Sequence, residues 1–264
     1  MSKKKRIVLY ILLVIFSVGF VICGAVLARE YSMRARDTET FDELAELIEL
    51  PPTESVIYDY SYSDKDEVSS DDDSQTPIIA VHKRNLEPII ARNPDCVGWI
   101  YIENTKVNYP VVHTPNEPEK YLHLSFDLKY SAYGVPFLDF RCNTDSDNII
   151  LYGHNMKDGS MFATVRPYME KEYFLEHPTV EFETLEGCKN YSVFAIASVK
   201  ANDSWYSNID FKDREQYVAA VKRIISKSLY ETNVLPEYGK QIITLSTCYG
   251  AERDDRIILL AVEN

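Results

Sequence analysis

No two of the five cysteines stand in a C-x-x-C pair, so the spacing that holds zinc is missing. Two disulfides stay arithmetically open among Cys96, Cys142, Cys188 and Cys248 if the domain is extracellular. Positive charge is also scarce. The formal net charge is −13, and nucleic acid is excluded as a partner because its phosphates would be repelled. There is no internal repeat. The D-D-D run at 71–73 lacks the spacing and the glycine of a calcium loop.

A long hydrophobic run occurs once. Lys3, Lys4, Lys5 and Arg6 precede an uncharged stretch from Ile7 to Ala28. As a helix rising about 1.5 Å per residue, that stretch spans about 33 Å, enough for a bilayer core. It exceeds the apolar core of a cleaved signal peptide. A lipoprotein reading through Cys23 is disfavoured by the bulk of Ile22. The expected layout is a cytoplasmic tail at 1–6, a single transmembrane anchor at 7–28 in contact with membrane lipid, and an extracellular remainder.

Residues 29–76 read as a helical stalk followed by an acidic flexible linker. In "DTETFDELAELIEL" (37–50), Phe41, Leu44, Leu47 and Ile48 fall at helical spacing, with Thr38 or Thr40 as candidate caps and Pro51–Pro52 as the stop. Residues 54–73 hold eight acidic side chains against Lys65, the composition of a solvated segment. The folded domain is expected over 77–264. It opens with a helix or helix pair bent at Pro88. Short β-type runs follow, with one amphipathic helix over 213–229 whose inward face includes Tyr217, Val221, Ile224 and Leu229. About eight strands with a few helices point to a closed or nearly closed β-barrel.

The last two runs, "QIITLSTC" (241–248) and "RIILLAV" (256–262), read as consecutive antiparallel strands. Cys248 then ends one strand and Arg256 opens the next. Paired across the hairpin mouth, their Cβ atoms lie roughly 5 Å apart. A guanidinium there favours thiolate over thiol and offers donors to an oxyanion. A nucleophilic cysteine needs a proton carrier. Of the five histidines, His154 alone directly follows a strongly apolar strand, in "NIILYGHNMKDGSMF". Arg253 is a rival for the arginine role, but it belongs to the loop. From these residues alone, an inert packing cysteine remains an open alternative.

"TLSTC" followed by a short loop and "RIILLAV" resembles the nucleophile signature of sortases. "ILYGHNMKDGSMF" is similar to the histidine segment of class B sortases, as is the order of parts from N-terminal anchor to Cys–Arg hairpin. The resemblance covers roughly residues 77–264. It implies an eight-stranded sortase-type β-barrel in which the strand before His154 runs parallel to the one ending at Cys248. It implies a cofactor-free cysteine transpeptidase with catalytic His154, Cys248 and Arg256. Its partners would be secreted proteins bearing a C-terminal sorting signal cleaved after Thr, and an amine of peptidoglycan or of its lipid-linked precursor. Leu122, Tyr206, Ser246 and Thr247 are implied as substrate-binding residues, the last two through hydroxyl or backbone groups. The connection after Cys248 is shorter than class B leads one to expect, and "WYSN" lacks an aliphatic residue expected there. Both departures bear on substrate preference. A thiol peptidase that mainly hydrolyses, and an inactive tethered binding module, are the competing functions. An L,D-transpeptidase is disfavoured because its S-H-G-C context is absent.

Overall fold

The structure, a computed structural model, describes residues 3–49, 57–58, 80–81, 83–250 and 252–264. Most of the expected acidic linker, and the expected domain start at Pro77, lie outside the described residues.

Eight strands close into a barrel. In chain order they are β1 (Cys96–Tyr101), β2 (Asn108–Val112), β3 (Phe137–Leu138), β4 (Asn148–Tyr152), β5 (Thr179–Thr184), β6 (Gly187–Lys200), β7 (Ile242–Cys248) and β8 (Asp255–Glu263). Around the barrel the order is β8-β6-β5-β1-β2-β3-β4-β7, with β7 pairing back onto β8. Two contacts are parallel, β2 with β3 and β4 with β7; the others are antiparallel. A parallel pair needs a long crossover. Between β4 and β7 that crossover is residues 153–241. It carries the 3₁₀ segment Phe162–Met169, helix α3 (Lys171–Glu176), β5, β6, the 3₁₀ turn Ser204–Ser207 and helix α4 (Arg214–Ile225). Of these, the Phe162–Met169 segment packs on β7, and Trp205 and Tyr206 of the 3₁₀ turn bond to Thr244 and Ser246 of the same strand. Buried at almost every position, "NIILY" and "IITLSTC" read as near-continuous apolar runs rather than alternating ones.

The N-terminal region differs from the expectation. Helix α1 runs unbroken from Lys3 to Ile48, through Thr38 and Thr40. No glycine or proline interrupts residues 29–48, and the Thr40 hydroxyl donates to the Arg36 carbonyl instead of capping. Phe41, Leu44 and Ile48 are buried, Leu47 is exposed, and Phe41 packs edge-on against Tyr109 of β2 at 5.1 Å. The end of α1 is therefore docked on the barrel rather than standing as a free stalk. The chain leaves at Glu49, which bridges to Arg84, while the amide of Asn85 donates to the Ile48 carbonyl. The chain thus leaves and returns at one place, so the acidic stretch does not separate the N-terminal apolar run from the barrel. Within it, Ile57–Tyr58 pairs antiparallel with Ala80–Val81.

Other corrections are local. Pro88 sits in the first turn of helix α2 (Glu87–Arg92), where its missing N–H costs nothing, and bends no helix. Helix α4 ends at Ile225, leaving Leu229 exposed, while Tyr217, Val221 and Ile224 face inward. The run "VPFLDF" shrinks to a two-residue strand. All five cysteines are free thiols.

If the end of α1 is part of the folded unit, Leu44→Ala will destabilise the barrel itself by about 2–5 kcal/mol, the ordinary cost of emptying a fully buried leucine site. Denaturant unfolding followed at the barrel's buried tryptophans measures it. An unchanged midpoint would detach α1 from the core.

Candidate active site

The register of three adjacent strands sets the site. Cys248 stands opposite Arg256 in the antiparallel β7–β8 ladder, so both side chains leave the same face. On the other side, Tyr152 is in register with Ser246 in the parallel β4–β7 ladder. Two residues further along each chain, His154 comes level with Cys248. Three bonds carry this alignment past the end of β4. The Gly153 amide donates to the Ser246 carbonyl at 3.2 Å, the Thr247 hydroxyl donates to the Gly153 carbonyl at 2.7 Å, and the Asn155 side-chain amide donates to the Cys248 carbonyl at 2.8 Å. The order across the rim is His154, Cys248, Arg256, with the thiol between the imidazole and the guanidinium.

Cys248 is solvent-exposed, whereas Cys96 on β1, Cys142 in the β3–β4 connection and Cys188 on β6 are wholly or partly buried, which pushes each thiol up to about 12. Thiols in that range stay protonated and inert at neutral pH. Among the barrel cysteines, Cys248 is the one placed for nucleophilic chemistry. Arg256 donates from one guanidinium nitrogen to the carbonyls of Arg253 (2.8 Å) and Asp255 (2.9 Å), which pins it at the start of β8. Arg253 also reaches the cleft, but from the connecting loop.

His154 is oriented by a backbone carbonyl. Its Nε2 lies 2.8 Å from the Leu122 carbonyl. A carbonyl only accepts, so Nε2 carries a proton and Nδ1 is left to take one up or release one. The Leu122 carbonyl is itself held from behind. Gly134, with φ +62°, packs so closely that a Cβ there would lie 2.8 Å from that oxygen and 2.5 Å from the Tyr121 carbonyl. Gly134 N–H and Tyr133 N–H both donate to the Ser131 hydroxyl, which in turn donates to the buried carboxylate of Asp37 on α1 at 2.6 Å. Gly153 is needed for a similar reason: a Cβ would meet the buried ring of Phe162 at 2.7 Å. The Phe162 amide closes the loop after the histidine by donating to the His154 carbonyl.

His154, Cys248, Arg256, Leu122, Tyr206, Ser246 and Thr247 all line one cleft of ≈ 540 Å³, together with Phe137, Asp139 and Arg141 among others. Two of the sequence-level expectations need refinement. Ser246 and Thr247 are 1% and 2% exposed, and their hydroxyls are already engaged, Ser246 with the Tyr206 hydroxyl at 2.8 Å and Thr247 with Gly153. They shape the floor of the cleft through packing and internal bonds. Tyr206 is buried, which pushes its phenol up to about 12 and keeps it a neutral donor or acceptor.

Sequence reasoning passed over several supporting groups. Tyr152 stacks on Tyr206 with ring centroids 6.2 Å apart and donates to Asp139, which also holds Arg141 through two side-chain bonds. Burial pushes the Asp139 carboxyl up, but Arg141 and the Tyr152 hydroxyl outweigh it and hold the group below its usual range. Thr244 accepts from Trp205 Nε1 and donates to Asn148. The signal for this layer was the period of two: Asn148, Tyr152 and His154 share a face, as do Thr244, Ser246 and Cys248.

With this geometry in hand, likeness to known proteins carries weight. A family model described as the sortase domain matches residues 100–264. Sortase B of Listeria monocytogenes is 34% identical over 191 residues, covering 71% of this chain and 76% of the relative. Sortase B of Staphylococcus aureus is 32% identical over 192 residues, covering 70% and 78%. The solved Staphylococcus aureus sortase B–substrate complex matches with a TM-score of 0.64 at 30% identity, over 68% of this chain and 84% of that one. Sortase B from B. anthracis in complex with AAEK1 gives 0.68 at 26% identity, over 88% and 98%. The chain belongs to the sortase family. Within it, the relatives place it in class B, the cysteine transpeptidases of the cell wall.

The 3₁₀ turn that carries Tyr206 depends on Asp203, which accepts from the Trp205 amide and pairs with Arg223 and Lys227 of the α4 region. Burial would raise its carboxyl, but these partners hold it at about 2. A depressed carboxylate contributes stability above its unfolded value of about 4 and loses it as pH falls through its folded value. Asp203→Asn will therefore melt below wild type from neutral pH down to about 4, and the two curves will converge as pH approaches 2. A pH-independent gap would mean the charge does not hold the turn.

Proposed function

We propose that this protein is a membrane-anchored transpeptidase that cleaves a sorting signal near the C-terminus of a secreted protein and joins that protein to a cell-wall amine. The observation that carries the reading is the alignment of an exposed Cys248 between His154 and Arg256 at the mouth of a peptide-sized cleft.

The Cys248 thiolate attacks the backbone carbonyl carbon of the signal threonine. The oxyanion that forms is stabilised by the Arg256 guanidinium, whose position is fixed before the reaction. His154 in its protonated form gives its Nδ1 proton to the departing amide nitrogen, and the C–N bond breaks to leave a thioester on Cys248. An amine from peptidoglycan or its lipid-linked precursor then attacks the thioester. It loses a proton to His154, and the C–S bond breaks to return the thiolate. The Leu122 carbonyl supports both protonation states by accepting from Nε2 throughout. No cofactor enters this chemistry.

α1 is the element long and apolar enough to cross a membrane among the described residues. With basic residues before it, the reading places 1–6 in the cytoplasm and the barrel outside. Holding enzyme and substrate on one surface raises their effective concentration. Water competes with the amine for the thioester, so hydrolysis is the near alternative. A binding module without activity would not require an exposed thiol between an imidazole and a guanidinium.

The test is incubation of the full chain in detergent with a library of threonine-containing signal peptides and a peptidoglycan-derived amine, read by mass spectrometry. Expected are an acyl adduct on Cys248 and an amide product that displaces the acid as amine rises. Cys248→Ala will give no adduct, and His154→Ala and Arg256→Ala will slow its formation by about 10²-fold or more. Acid product alone at saturating amine would make the protein a peptidase. Adduct formation unaffected by His154→Ala would refute the assigned roles.

A further inference from the structure

Helix α1 docks on the barrel with Asp37, Phe41, Leu44 and Ile48, which recur at helical spacing and are all buried. Three of them are apolar, and burial alone accounts for their place. Asp37, 2% exposed, is the exception. A carboxylate is costly to bury, and an apolar side chain would close the same face at lower cost. Its contacts give the reason it is there. One oxygen accepts from the Ser131 hydroxyl at 2.6 Å, and the other is met by a guanidinium nitrogen of Arg36 at 3.4 Å.

Ser131 is fully buried and is the hub of the turn that follows it. A hydroxyl has one proton and two lone pairs. With the proton directed at Asp37, the oxygen is free to accept from the amides of Tyr133 at 3.0 Å and Gly134 at 3.1 Å. Gly134 is thereby set against the Leu122 carbonyl, the group that accepts from His154 Nε2. The turn is laced to the Leu122 segment on both sides. The Val135 amide donates to the Tyr121 carbonyl and the Ser131 amide to the His123 carbonyl. His123 adds a ring stacked on that of His154 at 5.8 Å. Residues 121–123 and 131–135 thus form one platform under the imidazole, and Asp37 fixes that platform to α1. The cleft is lined by Leu122 and His154, whereas Asp37 and Ser131 stand behind it.

We propose that Asp37 is a positioning residue for His154, acting through Ser131 and Gly134 on the Leu122 carbonyl that fixes the imidazole. The inference rests on the roles assigned above to His154 and Cys248. It makes the docked end of α1 a support of the reaction as well as of the fold. Without an acceptor at residue 37, the Ser131 hydroxyl loses its fixed orientation, and the Gly134 turn loosens behind the Leu122 carbonyl. The ring is then free to rotate or to change tautomer. Misplacing a proton donor by about 1 Å costs up to about 10²-fold in rate.

The test uses the full chain in detergent, with its histidines labelled with nitrogen-15 and the His154 signals identified by their loss in His154→Ala. Wild type will show the neutral ring protonated on Nε2. Asp37→Ala and Ser131→Ala will each show mixed tautomers. In both, the acyl adduct on Cys248 will form about 10-fold more slowly or worse at saturating signal peptide. The half-saturating peptide concentration will not change, because neither residue lines the cleft. The double variant will be no slower than either single one, since both act along one path. Asp37→Asn, whose amide oxygen takes the same proton, will restore the wild-type tautomer and rate. Leu44→Ala, which loosens the docking of α1 without touching Ser131, will keep both when rates are counted per folded molecule. If Asp37→Ala folds poorly, Ser131→Ala carries the comparison. A wild-type tautomer and rate in the alanine variants, or an equal loss in Leu44→Ala, overturns the inference. A wild-type chain that forms no adduct overturns the proposed function instead, and the tautomer comparison still decides the inference.

Discussion

The parallel ladder between Asn148–Tyr152 and Ile242–Cys248 is the constraint on which the rest depends. It joins two segments almost a hundred residues apart and brings their ends to one rim. A slip of one residue would turn Cys248 and His154 to opposite faces. The intervening crossover does more than connect. It lays Trp205 and Tyr206 over the outer face of the ladder, where they bond to Thr244 and Ser246. The face that carries the nucleophile is thus covered up to Ser246 and open at Cys248.

Rigidity at that rim comes from backbone groups more than from charge. The histidine is fixed by a carbonyl, the cysteine's own carbonyl by Asn155, and the arginine by two carbonyls of its loop. Two glycines, Gly134 and Gly153, allow the approaches this requires, one behind the Leu122 carbonyl and one over Phe162. Ionic pairs such as Asp139–Arg141 and Asp203–Arg223 sit one step back, supporting the tyrosines that line the cleft. Helix α1, long and apolar enough to cross a membrane, joins the same scaffold through Asp37 and Ser131.

Much of the site was legible in the chain because its elements are local or strongly patterned. The Cys248–Arg256 opposition follows from a short antiparallel hairpin, and its register needs no distant information. His154 was different. Its position after an apolar strand marked it, but only the resemblance to sortases supplied the parallel pairing that brings it level with Cys248. That the Ser246 and Thr247 hydroxyls are already engaged, which leaves the backbone route of the two expected, was not legible because a sequence does not tell which hydroxyls are satisfied inside. The stalk was misread because Phe41, Leu44 and Ile48 mark an apolar face without naming its partner, and because threonine at a candidate cap is outweighed where residues 29–48 have nothing to break a helix. The return of the chain at Arg84 to the place it left at Glu49 is a long-range fact with no local trace.

Strand register predicts that residues 154 and 256 each have a Cα within disulfide reach of residue 248. His154→Cys and Arg256→Cys, made separately, should each form an internal disulfide with Cys248 under mild oxidation, seen as a loss of two thiols and a linked peptide pair by mass spectrometry. Rapid linkage in both variants, and none in a Leu235→Cys control, is the outcome the account requires. A folded His154→Cys variant whose two thiols stay free would contradict it.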